Sequence, residues 1–345
     1  MSAVPNPLLD LIAEKGVLLA DGATGTNLFQ MGLMSGDAPE LWNIDHPDRI
    51  TKLHQDFVDA GADIILTNTF GGTRHRMKLH HADTRVHEIN MAAAKIARAV
   101  ADGEKAKNGR KVIVAGSVGP TGELFVPLGA LTHEDAVSSF AEQMIGLKAG
   151  GADVAWIETM SAPEEVRAAA EAAIQVGMPY TFTASFDTAG KTMMGLHPRD
   201  IHGVIGDLAD LPIAVGANCG VGASDMLATL MDMHGAAPDN RVIVKGNCGI
   251  PQFQGTEIVY SGTPELMADY VRLAVDGGAT IIGGCCGTSA LHLAAMRKAL
   301  DGHKSPTARL TLETIVERVG PLRNTTADEA GGGRTRERAN RRTKN

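Results

Sequence analysis

The sequence predicts a (β/α)8 TIM barrel, because short apolar runs and longer amphipathic segments alternate along most of its 345 residues. Eight strand-and-helix units occupy about 300 residues, which suits a barrel of ~250 residues with insertions. An open doubly wound sheet is the alternative. The number of strands and the functional-looking residues at nearly all of their carboxyl ends favour the barrel.

The predicted strands are short runs rich in Val, Ile, Thr and Ala. They are Val17–Ala20, Ile64–Thr67, Val112–Ala115, Val154–Ile157, Thr181–Ser185, Ile213–Gly216, Val242–Lys245 and Thr280–Ile282. The amphipathic segments between them predict helices at Pro47–Ala60, His87–Ala101, Glu134–Ala149, Pro163–Gln175, Ser224–Met233 and Pro264–Asp276. Thr132 and Thr263 are expected to cap two of these helices, the second with Pro264 in its first turn.

We expect one domain, a barrel over residues 8–303, followed by a disordered basic tail over residues 320–345. The tail is rich in Gly, Asn, Thr and Arg and has no apolar period. Its last dozen residues carry six basic side chains against one acidic. A second class of function follows from this tail, in which a zinc-stabilised barrel serves as a binding module. A tail of this kind is more usually a solubilising extension.

The composition points to a globular protein of the cytoplasm. Hydrophobic residues make up 44% of the chain and charged residues 21%, and the net charge is -8. The negative charge argues against nucleic-acid binding by the barrel. No apolar run is long enough to cross a bilayer, and no signal peptide is expected. With only four cysteines, a cluster of thiols is more typical of metal binding or catalysis than of disulfides.

Cysteines follow three predicted strands: Cys219, Cys248 and the adjacent pair Cys285-Cys286. All strand carboxyl ends of a barrel meet at one face, so these thiols should converge although more than 60 residues separate the first from the last. Thiolates favour zinc, and a catalytic zinc keeps three protein ligands and one open position. That number matches Cys219, Cys285 and Cys286. The alternatives are buried cysteines that act as small hydrophobic residues, and a strained disulfide between the adjacent pair.

Two carboxylates are expected at the same face, because Asp21 ends the first strand and Glu158 ends the fourth. A carboxylate there can hold an ammonium group through charge-assisted hydrogen bonds. The turn from Gly22 to Gly25 offers backbone N–H groups for a carboxylate or a phosphate. Together these features predict a clamp for an amino acid. A capping Asp and a packing Glu are the structural alternative.

These motifs resemble the homocysteine S-methyltransferase family over about residues 8–300. The motifs that carry the resemblance are Asp21-Gly-Ala-Thr-Gly-Thr26, Thr67-Asn-Thr-Phe-Gly71, Gly119-Pro-Thr-Gly-Glu123, Glu158-Thr159, Asn218-Cys219 and Gly283-Gly-Cys-Cys-Gly-Thr288. The resemblance implies a barrel that carries zinc and methylates the sulfur of L-homocysteine to give methionine. Zinc would remove the proton of that thiol and leave a nucleophilic thiolate.

The resemblance also implies roles for individual residues. The zinc ligands would be Cys219, Cys285 and Cys286. Asp21 and Glu158 would hold the amino group of homocysteine, and its carboxylate would meet the backbone at Gly22 and Ala23. Asn247 matches an asparagine of the family's substrate site, whereas Cys248 stands where relatives have a small residue and is expected to be a neighbour of the pocket.

The methyl donor is expected to be a small onium compound, glycine betaine or a relative, with a separate methyl-corrinoid protein as the alternative. Cobalamin-dependent methionine synthases join this barrel to further modules, which are not expected here, whereas betaine enzymes are free-standing barrels. The aromatic cage of the animal betaine enzymes is absent, since Gly71 and Thr159 stand at matching positions. Trp42, Phe70 and Thr159 are the predicted donor pocket, because a cation favours aromatic faces. Nothing in the sequence specifies an oligomeric state.

Overall fold

The computed structural model describes residues 6–249, 251–254, 257–304 and 310–324. Eight parallel strands form one sheet in the order β1-β10-β7-β6-β5-β4-β3-β2. A parallel bridge between Ala20 and Ile64, and a 3.0 Å hydrogen bond from the Asp21 N–H to the Ile64 carbonyl, join its two edges. The sheet is therefore a closed (β/α)8 barrel, and the predicted fold class is confirmed.

All eight predicted strands are present, with boundaries that differ by a few residues. The barrel strands are β1 (Leu18–Leu19), β2 (Ile64–Leu66), β3 (Ile113–Val118), β4 (Val154–Met160), β5 (Tyr180–Ala184), β6 (Val215–Cys219), β7 (Val242–Gly246) and β10 (Ala279–Gly284). A short antiparallel hairpin follows β7 and consists of β8 (Pro251–Gln254) and β9 (Glu257–Tyr260). The hairpin has no counterpart among the predicted strands, because four residues give too few alternations to reveal a strand.

Helices surround the barrel, and all six predicted ones are present. The helices are α1 (Pro7–Lys15), α2 (Thr24–Gln30), α3 (Trp42–Asp45), α4 (Pro47–Asp59), α5 (Arg74–Lys78), α6 (Val86–Asn108), α7 (His133–Ala149), α8 (Pro163–Val176), α9 (Ala223–Ala236), α10 (Pro264–Asp276), α11 (Ala290–Gly302) and α12 (Leu312–Val319). The predicted caps are also present, since the side chains of Thr132 and Thr263 accept the N–H groups of Asp135 and Leu266. Within the described residues, no helix is long and apolar enough to cross a membrane.

The chain after α12 packs against the barrel as far as the structure describes it. The backbone N–H groups of Arg323 and Asn324 donate to the Asp225 carboxylate at 2.7–3.1 Å. The Asn324 side chain donates to the Phe186 carbonyl at 3.0 Å. The rest of the predicted basic tail, from residue 325 onwards, lies outside the described residues, so the disorder and the binding role expected for it stay predictions.

The lower part of the barrel interior is apolar, and its upper part is polar. Successive side chains of a strand point to opposite faces. In β4, Trp156 belongs to the buried apolar cluster inside the barrel, so Glu158 also points inward, one layer nearer to the carboxyl end. The same alternation directs Ser117 of β3 and Lys245 of β7 inward, above that apolar layer. Polar side chains therefore gather inside the barrel mouth.

Candidate functional site

Three thiols meet where β6, β7 and β10 end. Cys219 is the last residue of β6, and Cys285 and Cys286 directly follow β10. In the sheet, Gly246 of β7 pairs with Cys219 on one side and with Gly284 on the other, so the three cysteines lie around the end of β7. The Cys219 sulfur is 3.3 Å from that of Cys285 and 3.7 Å from that of Cys286. The expected convergence of these thiols is thus observed.

A strained backbone turn presents Cys219 to the cluster. Cys219 has a φ of 62°, and so has Thr159 at the end of β4. A residue with a side chain in this left-handed region costs on the order of 1–3 kcal/mol and is often found at a functional site. The Asn218 amide supports the Thr159 turn, because its Oδ1 accepts the Thr159 N–H at 2.8 Å and its Nδ2 donates to the Thr159 Oγ1 at 2.7 Å.

A second asparagine joins the two cysteine-bearing segments. Asn247 accepts the N–H of Cys286 at 3.0 Å and donates to the Gly220 carbonyl at 2.7 Å. These bonds fix the backbone on both sides of the thiol cluster. Asn247, predicted to bind substrate, therefore also positions Cys286.

The thiols of the cluster perturb one another. Sulfur hydrogen bonds from Cys219 and then Cys285 lower the pKa of Cys286, whereas the bonds to Cys285 and then Cys286 raise the pKa of Cys219. A cluster in which two thiols stabilise one thiolate is well suited to a cation. Within the described residues, these three cysteines form the one group with metal-binding geometry.

Cys248 lies beside this cluster without joining it. Its side chain is fully buried, and its N–H donates to the Cys286 carbonyl at 2.8 Å. Burial raises the pKa of its thiol to about 12. Such a thiol stays protonated at neutral pH, in agreement with its expected place as a neighbour of the pocket.

The two predicted carboxylates are buried close to the thiols. The Asp21 carboxylate accepts the Leu66 N–H at 2.7 Å, and Glu158 accepts the Ser117 hydroxyl at 2.5 Å. Burial, and to a smaller extent the Cys285 charge, raises the pKa of both carboxyls, that of Glu158 to about 7. Both groups therefore share one electrostatic environment with the thiol cluster.

A buried lysine that is not among the predicted site residues completes this polar layer. The Lys245 Nζ lies 2.9 Å from the Asp21 Oδ1, and the two side chains are 3% and 1% exposed. Charges on Asp21 and then Glu158 raise the pKa of Lys245 against the opposing effect of burial. The sequence contains one signal for this lysine. Lys245 lies within an apolar run, two residues after Ile243, so both side chains point to the same face of the strand.

The turn after Asp21 packs tightly against the loop that follows β10. The N–H of Ala23 donates to the Thr288 carbonyl at 3.0 Å, so this predicted carboxylate donor already has a partner. A Cβ on Gly22 would lie 2.5 Å from the same carbonyl oxygen and 2.8 Å from the Phe57 ring. Only glycine fits there. The role of this turn in carboxylate binding stays a prediction.

The predicted donor residues occupy different surroundings. Trp42 is buried in α3, and the Arg49 guanidinium lies 4.6 Å from its ring centroid. No hydrogen bond or ring contact within the described residues joins Trp42 to the thiols. Phe70 is 41% exposed, and a Cβ on Gly119 would lie 2.6 Å from its ring. Thr159 is linked to the thiol cluster through Asn218.

Comparisons with known proteins agree with this geometry. Residues 18–300 match the sequence model of the family described as homocysteine S-methyltransferase. The chain is 28% identical to the methionine synthase of Mycobacterium tuberculosis over 325 residues, which cover 90% of this chain and 26% of that protein. The match to the methionine synthase of Mycobacterium leprae has 28% identity and covers 86% of this chain and 25% of that one. The chain thus spans about a quarter of these two relatives.

A solved structure matches almost over its full length. The metallated form of the homocysteine methyltransferase MmuM from Escherichia coli has a TM-score of 0.72 and is 25% identical. The match covers 85% of this chain and 99% of that one. The oxidised form of the same enzyme gives the same TM-score.

Proposed function

Since the chain belongs to the homocysteine S-methyltransferase family, we propose that it transfers a methyl group from a small onium compound to the thiol of L-homocysteine, giving methionine. Glycine betaine or a relative is the proposed donor. The observation that carries this proposal is the cluster of Cys219, Cys285 and Cys286 beside the buried Glu158. The thiol cluster would then bind the sulfur of homocysteine through a metal ion, and the carboxylate of Glu158 would bind its ammonium group.

The thiol cluster fits a zinc ion. Two sulfurs that are each about 2.3 Å from a tetrahedral zinc lie roughly 3.8 Å apart. The sulfurs of Cys219, Cys285 and Cys286 all lie within 4.8 Å of one another, and two of the separations are 3.3 and 3.7 Å. Bound zinc would supply an open coordination position that takes the homocysteine sulfur as its thiolate.

Glu158 is the residue proposed to bind the ammonium group of homocysteine. Glu158 as a residue is 8% exposed and Asp21 1%, so Glu158 is the more accessible of the two residues. The Ser117 hydroxyl bonds its Oε1 at 2.5 Å and orients the carboxylate. An ammonium held there and a sulfur at the thiol cluster would fix both ends of the amino acid before methyl transfer.

The methyl donor is proposed to enter beside Phe70. This ring follows β2 at the barrel mouth, and its exposed fraction could contact a quaternary ammonium or a sulfonium. Such a cation–π contact contributes about 0.5–2 kcal/mol. Thr159 and Trp42 remain the other proposed donor residues, although Arg49 already covers one face of the Trp42 ring.

The experiment that tests this function follows methionine formed by zinc-loaded protein from homocysteine. Glycine betaine, a sulfonium analogue and methylcobalamin should be offered separately. We expect methionine with an onium donor and no added protein. Absence of methionine with every donor would refute the proposal.

A second candidate keeps homocysteine but takes the methyl group from a separate corrinoid protein. Exposed apolar side chains in the segments that directly follow β1, β2, β3 and β5 favour it, because these segments surround the barrel mouth. They are Phe29, Met34, Phe70, Leu124, Val126, Leu128, Met193 and Met194, each between 41% and 75% exposed. An apolar rim of this kind suits contact with a partner. In that case the isolated chain should use methylcobalamin slowly and no onium.

A further inference from the structure

The last described segment of the chain, residues 310–324, returns to the barrel and ends at its mouth. It lies beyond residues 18–300, the part of the chain that matches the family. Its helix α12 packs against α9 and α10 and buries Leu310, Ile315 and Val319. The residues after α12 then reach the segments that follow β5 and β6, which lie on the same side of the barrel as the thiols.

A buried carboxylate holds this end of the chain. Asp225, the third residue of α9, is 7% exposed. Both of its oxygens accept the N–H of Arg323 at 3.1 Å, and its Oδ1 also accepts the N–H of Asn324 at 2.7 Å. The Asn324 side chain donates to the Phe186 carbonyl, two residues after β5, at 3.0 Å. Because one partner is a carboxylate, these backbone bonds are of the stronger, charge-assisted kind.

A short turn separates Asp225 from a thiol of the cluster. Cys219, Gly220 and Gly222 all have positive φ, at 62°, 72° and 152°. Gly222 precedes α9 without a side-chain cap, and glycine backbones have many accessible conformations. The turn therefore takes its shape from the segments fixed at its two ends. At the first end the Asn247 side chain donates to the Gly220 carbonyl at 2.7 Å, and at the second end Asp225 is held by residues 323 and 324.

The other two thiols are fixed without α9. The N–H of Cys285 donates to the Gly246 carbonyl at 2.8 Å, and the N–H of Cys286 donates to Asn247 at 3.0 Å. Both cysteines directly follow β10. The contact between Asp225 and the chain end is thus connected to one thiol of the three, that of Cys219.

We propose that residues 320–324, bound to Asp225, form a C-terminal clasp that positions Cys219 for the metal ion, with Asp225 as its positioning residue. The clasp fixes the first turn of α9 and thereby the backbone from which the Cys219 sulfur extends. A thiol that is already in place raises the affinity for zinc, because the metal does not have to order the turn when it binds. The inference rests on the proposed function, which supplies zinc as the metal.

The affinity of the full chain for zinc, measured by competition with a chromophoric chelator, tests the clasp independently of activity. Asp225→Ala removes the acceptor of both N–H groups and should weaken zinc binding about tenfold, the lower end of the range for residues that support a metal ligand. Asp225→Asn keeps an Oδ1 that can accept both groups, so its affinity should be within about twofold of the parent. Parental affinity in Asp225→Ala would overturn the inference.

A double-mutant cycle separates positioning from a general loss of structure. Cys219→Ser leaves two thiols for zinc, and the clasp then has no third thiol to position. Adding Asp225→Ala to Cys219→Ser should therefore weaken the residual zinc binding by less than about twofold, because both changes act on the same ligand. An equal loss in the presence and absence of the Cys219 thiol would overturn the inference.

Asp269→Ala is the matched control, because Asp269 holds the same C-terminal helix from α10. Its carboxylate accepts the Arg318 guanidinium at 2.5 Å. This variant loosens α12 without touching α9 and should keep the zinc affinity within about twofold of the parent. The same loss of affinity in the Asp269 and Asp225 variants would overturn the inference, since it would reflect the stability of α12 alone.

A second pair of variants decides if Asp225→Ala does not fold. Arg323 is exposed and binds Asp225 through its backbone, so Arg323→Ala should keep the parental zinc affinity. Arg323→Pro removes that N–H and should weaken zinc binding by about threefold or more. Equal affinities in these two variants would overturn the inference. A parent that binds no zinc refutes the proposed function and the inference together. A parent that binds zinc but forms no methionine refutes the function alone, and the affinities then decide the inference.

Discussion

Asn218 binds Thr159 through both ends of its side-chain amide, at 2.8 and 2.7 Å, and thereby holds the ends of β4 and β6 together. Its Oδ1 also accepts the Thr183 hydroxyl at 2.7 Å. The residue that follows Asn218 is Cys219, so the same amide holds the backbone from which one thiol extends. Stability and thiol placement therefore depend on one buried side chain.

Asn218→Ala should lower the free energy of unfolding by about 1–3 kcal/mol, because it leaves buried polar groups unpaired. Denaturant unfolding of the zinc-free protein measures this change without a contribution from metal. Asn240→Ala is the control, since Asn240 is exposed and the change should be within about 0.5 kcal/mol. Equal stabilities of the two variants would contradict this prediction.

Purified protein should carry about one zinc ion per chain, because a site with three thiolates and one open position holds a single ion. Replacing Cys219, Cys285 or Cys286 with Ser should remove most of the metal, as measured by elemental analysis. Cys248→Ala should retain it, since that thiol is buried and stays outside the cluster. Full zinc occupancy in a double Ser variant of Cys285 and Cys286 would show that the ligands lie elsewhere.

Glu158→Gln should raise the KM for homocysteine by about ten- to a hundredfold, because a hydrogen bond to a charged group contributes about 1.5–3 kcal/mol. The zinc content should not change, since Glu158 lies outside the thiol cluster. Steady-state kinetics with parallel metal analysis checks both statements. A variant with parental KM would remove Glu158 from the substrate site.

The affinity for homocysteine should decrease as the pH is lowered through neutrality. Burial raises the pKa of Glu158 to about 7 in the free protein, and only its ionised form attracts an ammonium group. As the pH falls below that value, protonation should therefore weaken binding by up to about tenfold per unit. Loss of the thiol proton on binding adds its own pH dependence. The parent should consequently show a steeper dependence than Glu158→Gln in calorimetric titrations from pH 5.5 to 8, and equal slopes would exclude titration of Glu158.

Phe70→Ala should raise the KM for the onium donor by roughly two- to thirtyfold, the equivalent of the 0.5–2 kcal/mol of a cation–π contact. The KM for homocysteine should change little. Leu211→Ala is the control, because Leu211 is 66% exposed but precedes β6, at the end of the barrel away from the mouth. A donor KM that does not respond to Phe70 would favour a methyl group delivered by a partner protein.

The sequence by itself determined the barrel and the convergence of its thiols. Strands are recognisable from local β-branched runs, and helix ends from residues such as Thr132 and Thr263. Once parallel strands alternate with helices, topology places every strand carboxyl end at one face. Cys219 and Cys285, 66 positions apart, could therefore be assigned to one cluster before any distance was known.

Only the tertiary structure decided which polar groups already have partners. Lys245 and Asp21 are separated by 224 positions, and the ion pair between them depends on the orientation of two strands across the barrel. In the same way, Arg49 covers Trp42, and the Thr288 carbonyl accepts the N–H of Ala23. Local periodicity shows which face of a strand a residue occupies, but not which group lies opposite it. Which polar groups of the barrel mouth are already paired therefore follows from long-range packing.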